Sequence, residues 1–272
     1  MRNLFTINAK TREHGFDEFL IRKSETAFKA QYDENDKLIG DTIKKRLTPL
    51  IYLWFAALLC GGIFISIFVS EVKDAGFAQA YSAVGWALYI GIAGIALFAI
   101  FSLSAFIWTR KFMDNPQTQT LFQEQEELED KIAHDLRIPE DRTEIDIMYH
   151  SYKLKNGKEK YQYKKYENLP MWVFVEDGAL CFADTFGVWG VPLSNITSIN
   201  LFPGYATLTS WNKEEKLNSP KYKRTVRYYK NNYIVNGYYS LQLIHHNEEW
   251  EVLIPAYDID YIFELTGIYP DV

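Results

Sequence analysis

"LTPLIYLWFAALLCGGIFISIFVS", residues 47 to 70, runs for 24 positions without a charged side chain. A helix rises about 1.5 Å per residue, and about 20 apolar residues cross a bilayer's hydrocarbon core, so the stretch is long enough to span a membrane. A second charge-free run opens at Ala75 and closes at Thr109, with its most apolar part over residues 81–108. A secretory signal would start nearer the N-terminus, would be shorter, and would not lead straight into a second span. The pair therefore predicts a two-helix transmembrane hairpin over residues 47–109, joined by a very short loop.

The flanks orient it. Lys44, Lys45 and Arg46 precede the first span and Arg110 and Lys111 follow the second, while the connecting loop sets Lys73 beside Glu71 and Asp74. Basic residues favour the cytoplasmic side, so the expected product is a multi-pass protein of the cell membrane with both termini cytoplasmic. Tyr52, Trp54, Tyr81 and Trp108 stand near the span ends, where amphipathic rings favour the interface. Ala57 and Gly61 on the first helix, and Ala83, Ala87 and Gly91 on the second, have the spacing that lets helix backbones approach. Neither span holds an ionisable Asp, Glu, Lys, Arg or His, so the hairpin reads as an anchor with no ion path or proton relay.

The totals add limits. The net charge of -6 argues against a nucleic-acid binder. The two cysteines, Cys60 in the first span and Cys181 in a predicted strand, form no metal knuckle and no disulfide framework. Residues 1–46 mix ten bases with eight acids and read as a cytoplasmic segment. Within it "FDEFLIRKSETAFKAQY" predicts a short amphipathic helix with Phe16, Phe19, Leu20 and Phe28 near one face. Residues 112–138 predict an acidic helical stalk capped by Asp114 or Asn115, opened by Pro116 and stopped before Pro139. Leu121, Leu128, Ile132 and Leu136 share one face of it, and its glutamates form a solvated one.

From about Thr143 the period changes from helical to alternating. Asn156-Gly157, Asp177-Gly178 and Asn236-Gly237 mark turns. Short, regularly spaced runs predict an antiparallel β-sandwich or barrel over residues 140–272. In "CFADTFGVWGVPLSNITSI", Leu180 and Phe182 belong to one strand, Val188 to the next, and Ile196 and Ile199 to the core. Asn195-Ile196-Thr197 is a formal glycosylation acceptor that a cytoplasmic location leaves unmodified. "AYDIDYIFELTGI" closes the domain as a C-terminal helix, with Asp258 and Asp260 at its dipole-favoured start and Gly267 near its end.

The pieces "WVFVEDGALCFAD", "GVPLSNITSI" and "WEVLIPAYDIDYIFELTGI", preceded by a membrane hairpin, resemble the bacterial YcxB-type membrane proteins, whose β-domain is pleckstrin-homology (PH)-like. Pro192-Leu193-Ser194 departs from the tryptophan-led turn of that family. The resemblance covers residues 140–272 and the hairpin. It implies a PH-like β-domain capped by a helix, serving as a membrane-tethered binding or regulatory module without a cofactor.

Candidate site residues are basic. Lys213, Lys216, Lys221, Lys223, Arg224, Arg227 and Lys230 stand against Glu214 and Glu215 alone, and residues 153–165 add six more lysines. A cytoplasmic leaflet attracts such segments by about 1 kcal/mol per base. The expected partners are anionic lipid headgroups, a protein, or further copies of the chain. No nucleophile–base motif, phosphate loop or metal-ligand spacing is present, and adjacent His245 and His246 on a strand would face opposite sides. The sequence therefore reads as a non-enzyme. The competing reading is an enzyme, or an accessory subunit of a membrane enzyme or transporter complex.

Overall fold

The computed structural model describes residues 2–8, 18–156, 158–202, 206–208, 213, 217–220, 223, 225–230 and 232–270. The chain divides into a helical unit, Ala27–Asp130, and a β unit built from Met1–Thr26 and Lys131–Val272.

In the helical unit, α1 is one continuous helix over Ala27–Ala75 and α2 covers Phe77–Met113. Only Gly76 separates them, at φ 79°, a conformation glycine adopts without a Cβ clash. Ala57, Gly61 and Phe68 of α1 and Ala80, Ala87, Gly91 and Gly94 of α2 are buried along the helix contact. Their intervals of three, four and seven follow a heptad seam rather than a strict every-fourth stripe. Ala83, expected at the contact, is exposed. The non-helical Val84 (φ -132°, ψ 21°) breaks α2 beside it.

Glycine is required where the backbones meet. A Cβ on Gly94 would lie 2.7 Å from the Gly61 nitrogen, and one on Gly91 2.5 Å from the Ile65 side chain. Towards the other end of the seam, Trp54 Nε1 donates to Ser102 Oγ at 2.8 Å. Away from the seam the helices are apolar and bare: Leu59 is 62% exposed and Phe106 65%.

The third helix, α3, covers Pro116–Asp135. Asn115 caps it, its Oδ1 accepting the Gln117 N–H at 2.9 Å. Arg137, at φ 55°, ends the following turn, and the Ile138 N–H reaches back to the Ala133 carbonyl at 2.9 Å, as in a Schellman closure. Leu128, Ile132 and Leu136 are buried on the expected face. The Tyr32 hydroxyl of α1 donates to Glu129 of α3 at 3.0 Å. Burial, with Glu129 beside it, pushes this phenol up to about 12.

The expected amphipathic helix before α1 does not form. Leu20–Lys23 is a strand, the helix opens only at Ala27, and Phe19 is buried in the β unit, its ring edge-on to Trp250 at 5.4 Å. Phe16 lies outside the described residues. Residues 1–46 are accordingly not one segment, because the part up to Thr26 belongs to the β unit. Tertiary pairing overrides the helical period here, since a free sheet edge offers Leu20–Lys23 hydrogen bonds that an isolated short helix lacks.

The strands of the β unit are β1 (Arg2–Asn3), β2 (Thr6–Asn8), β3 (Leu20–Lys23), β4 (Thr143–Lys155), β5 (Lys158–Glu176), β6 (Ala179–Ala183), β7 (Gly187–Pro192), β8 (Ile196–Phe202), β9 (Ala206–Leu208), β10 (Val226–Tyr229), β11 (Asn232–Val235), β12 (Tyr238–His245) and β13 (Glu248–Pro255). Helix α4 follows over Ile259–Thr266. Among the described residues, β3-β7-β6-β5-β4-β13-β12-β8 run in that order through one sheet, and β10-β11-β9 form a small second one.

Strands β4 to β7 make one antiparallel meander, and β8, β12 and β13 another, with β13 returning to β4. The turns Asp177-Gly178 and His246-Asn247 both have positive φ at each position, the geometry of a two-residue type I′ hairpin. Asn236-Gly237 is no hairpin: β11 pairs with β9 and β10, and Gly237 carries the chain across to β12. A Cβ there would meet the Thr225 side chain at 2.8 Å.

Leu180, Phe182, Val188, Ile196 and Ile199 are all buried, as their alternation predicted. The main core joins all of these but Val188 to Ile145, Ile147, Trp250, Val252 and Ile262, and takes Trp189 and Val191 from β7. A second cluster holds Met148, Val226, Val235, Tyr238, Leu253 and Tyr257, so β4 is covered on both faces. Gly267 closes α4 at φ 67°.

The close contact at Gly94 yields a direct test. Gly94→Val should cost about 1–3 kcal/mol through overpacking and lower the melting temperature of the protein. Gly62→Ala, which meets nothing within 4 Å, should leave melting unchanged.

Candidate functional site

Among the described residues, the bases singled out by sequence have two kinds of setting. Lys223 is exposed in a turn, its N–H donating to the Ser219 carbonyl at 2.9 Å. Arg227 is exposed on β10, and Lys230 is exposed at the β10–β11 turn with its ammonium 5.2 Å from the Tyr229 ring centre. These two share one hairpin. Lys216, Lys221 and Arg224 lie outside the described residues.

Lys213 is a different kind of residue: it is buried, at 8% exposure. Its ammonium lies 3.3 Å from Asp258 Oδ2, 3.5 Å from Asp146 Oδ1 and 3.9 Å from Glu144 Oε1. Asp146 and Asp258 are themselves buried. The Asp146 backbone N–H donates to Asp258 Oδ2 at 2.7 Å, and the Tyr257 hydroxyl donates to Asp146 Oδ2 at 2.8 Å. Asp258 stands at the start of α4, as expected, but its side chain makes no capping bond there and turns to this cluster instead. Two carboxylates taken out of water need a counter-charge, and Lys213 supplies it. An ammonium enclosed in this way has no free face for a lipid phosphate.

Sequence reading missed this cluster. Its available signal was Asp146 within "EIDIM", an acid on the strand face that also carries Met148. Outward-facing acids are ordinary, and only the cover over that face makes this one buried.

The β4–β5 hairpin concentrates like charge. Its register sets Lys153 opposite Lys160 and Lys155 opposite Lys158, and Lys153, Lys155 and Lys158 are exposed. Like charges directly opposite each other destabilise a ladder, which an anionic surface would relieve. Asn156, at φ 54°, makes the expected tight turn.

Other chemistry-bearing groups have plain settings. Burial pushes the Cys181 thiol up to about 11, so it stays protonated at neutral pH. His246 sits in a turn, and its ring lies 4.0 Å from that of His245, so the two do not point to opposite sides as strand geometry alone predicted. Among the described residues no three His, Cys, Asp or Glu side chains are grouped to hold a metal ion.

His150, buried on β4, is pushed down to about 4 by desolvation. Because the unfolded chain takes up this proton near 6.5 and the folded one does not, stability falls as pH drops from 6.5 towards 4. Between pH 7.5 and 4.5 the loss should be roughly 2–3 kcal/mol. In chemical denaturation His150→Gln should remove that share of the pH dependence.

Lys213→Met strands two buried carboxylates and should cost about 3–5 kcal/mol. Adding Asp146→Asn and Asp258→Asn should restore part of the melting temperature. Comparison of the chain with protein-family models, with curated proteins and with solved structures gives no match.

Proposed function

We propose that the chain is an integral membrane protein, anchored by α1 and α2, whose β unit is a cytoplasmic PH-like module for binding or regulation. The observation that carries this reading is how bare the two helices are. In each, only 11% of the most apolar window is buried. A soluble protein's core helix hides such a surface, whereas lipid is the solvent that tolerates it. The bases at Lys44, Lys45, Arg46, Arg110 and Lys111 favour a hairpin with both flanks cytoplasmic, which would make the protein multi-pass in the cell membrane.

The PH-like assignment is supported by strand order. A four-strand meander and a three-strand meander share the β4–β13 seam, and a helix follows the last strand. This is also the arrangement that the YcxB-type resemblance implies. The module's partner is the anionic inner leaflet or a protein with an acidic face. The exposed bases of the β4–β5 and β10–β11 hairpins favour either one, in a chain that is otherwise acidic. Because the helices hold the module at the bilayer, weak contacts suffice.

Protease treatment of inside-out vesicles tests the topology. The expected result is loss of the β unit with the 47–109 hairpin protected, whereas a protected β unit would overturn the reading.

A further inference from the structure

The β10–β11 hairpin is built unlike the rest of the β unit. Its base is apolar and buried, with Val226 paired to Val235 in the second core cluster. Its far end carries two adjacent aromatic residues in the open: Tyr228 is 56% exposed and Tyr229 55%. Successive strand residues point to opposite faces, so the tip presents one tyrosine on each side. Arg227 precedes the pair and Lys230 follows it, with the Lys230 ammonium over the Tyr229 ring, while Tyr228 leans against Tyr233 at 5.0 Å.

A flat protein partner would cover one face of such a blade and leave the other tyrosine wet. A bilayer's headgroup layer surrounds an inserted tip on both sides. It also suits a ring with an apolar body and a polar hydroxyl, flanked by bases whose stems lie in the interface. Charge selects the same partner. Leaving aside the enclosed Lys213, residues 216–230 hold six bases and no acid within a chain of net charge -6.

We propose that the β10–β11 hairpin is an interfacial anchor. Tyr228 and Tyr229 enter the headgroup layer of an anionic bilayer, and Lys223, Arg227 and Lys230 meet its phosphates. The proposal rests on the membrane reading above and names the element and the mode of contact. Among the described residues nothing at the tip reads a particular headgroup, so surface charge density decides insertion.

The test uses the full chain in nanodiscs, with Cys60→Ala and an environment-sensitive fluorophore on Asn232→Cys; the buried Cys181 does not compete for label. Discs of phosphatidylcholine alone are compared with discs containing phosphatidylglycerol, or phosphatidylserine at the same charge density. The expected result is an emission blue shift and quenching by spin-labelled lipid, equal in the two anionic discs, absent in phosphatidylcholine and weakened by salt. Tyr228→Ser with Tyr229→Ser should lower the inserted-to-free ratio at least about tenfold. Each of Lys223→Gln, Arg227→Gln and Lys230→Gln should lower it about fivefold.

If the tyrosine pair has no effect while the base substitutions abolish quenching, the anchor is overturned and an electrostatic contact remains. A probe silent in every disc, with the β unit still cleaved by protease in inside-out vesicles, overturns the anchor and leaves the membrane reading standing. A probe shielded only when cytosolic protein is added overturns it in favour of a protein surface. Quenching confined to one anionic headgroup overturns the charge-density rule.

Discussion

Strands β4 and β13 pair at Met148 and Leu253, and the β unit is organised around the gap that opens where they part. The chain's own beginning fills it. Residues 2–3 run beside β13, the backbone bends at Leu4, and residues 6–8 continue beside β4. The Leu4 N–H donates to the Glu251 carbonyl at 2.7 Å, Asn3 donates to the Met148 carbonyl at 3.1 Å, and Phe5 accepts from the His150 N–H at 3.3 Å. Backbone groups at a splayed seam would otherwise be buried without partners, at a cost of about 1–3 kcal/mol each. Leu4, Phe5 and Ile7 complete the main core from within the seam.

That seam also makes the β unit discontinuous in sequence. Strand β3 leaves it to enter α1 within a few residues, and α3 returns to it at β4, so both chain ends of the helical hairpin connect to one folded body. A covalent link at both ends limits how far the hairpin helices can separate from one another. The hairpin's own cohesion is of another kind. Close backbone packing at Gly61, Gly91 and Gly94 provides it, and in the membrane reading proposed above it is the main source, since lipid gives apolar helices no hydrophobic gain from contact.

Charge has two uses in the β unit, and sequence does not separate them. Lys213 and Lys223 look alike in a basic run. One neutralises Asp146 and Asp258 beneath the second sheet, and the other stands in solvent. Tyr228 and Tyr229 were equally ordinary as strand aromatics until the register showed a hairpin whose base is buried and whose tip is not.

Local sequence determined what depends on local chemistry. The length and charge of residues 47–109, the cap at Asn115, the tight turns at Asn156 and Asp177-Gly178, and the alternation that buries Leu180, Phe182, Val188 and Ile199 were all legible from neighbours along the chain. Only the tertiary structure decided the rest. It placed Phe19 in a sheet core rather than on a helix, moved the α1–α2 contact off Ala83, turned Asn236-Gly237 into a crossover, and enclosed Lys213. Each of these outcomes depends on a partner more than ten residues distant in sequence. Pairing at a free sheet edge, or burial beneath a second layer, outweighs the few tenths of a kcal/mol per residue by which local propensity distinguishes one conformation from another.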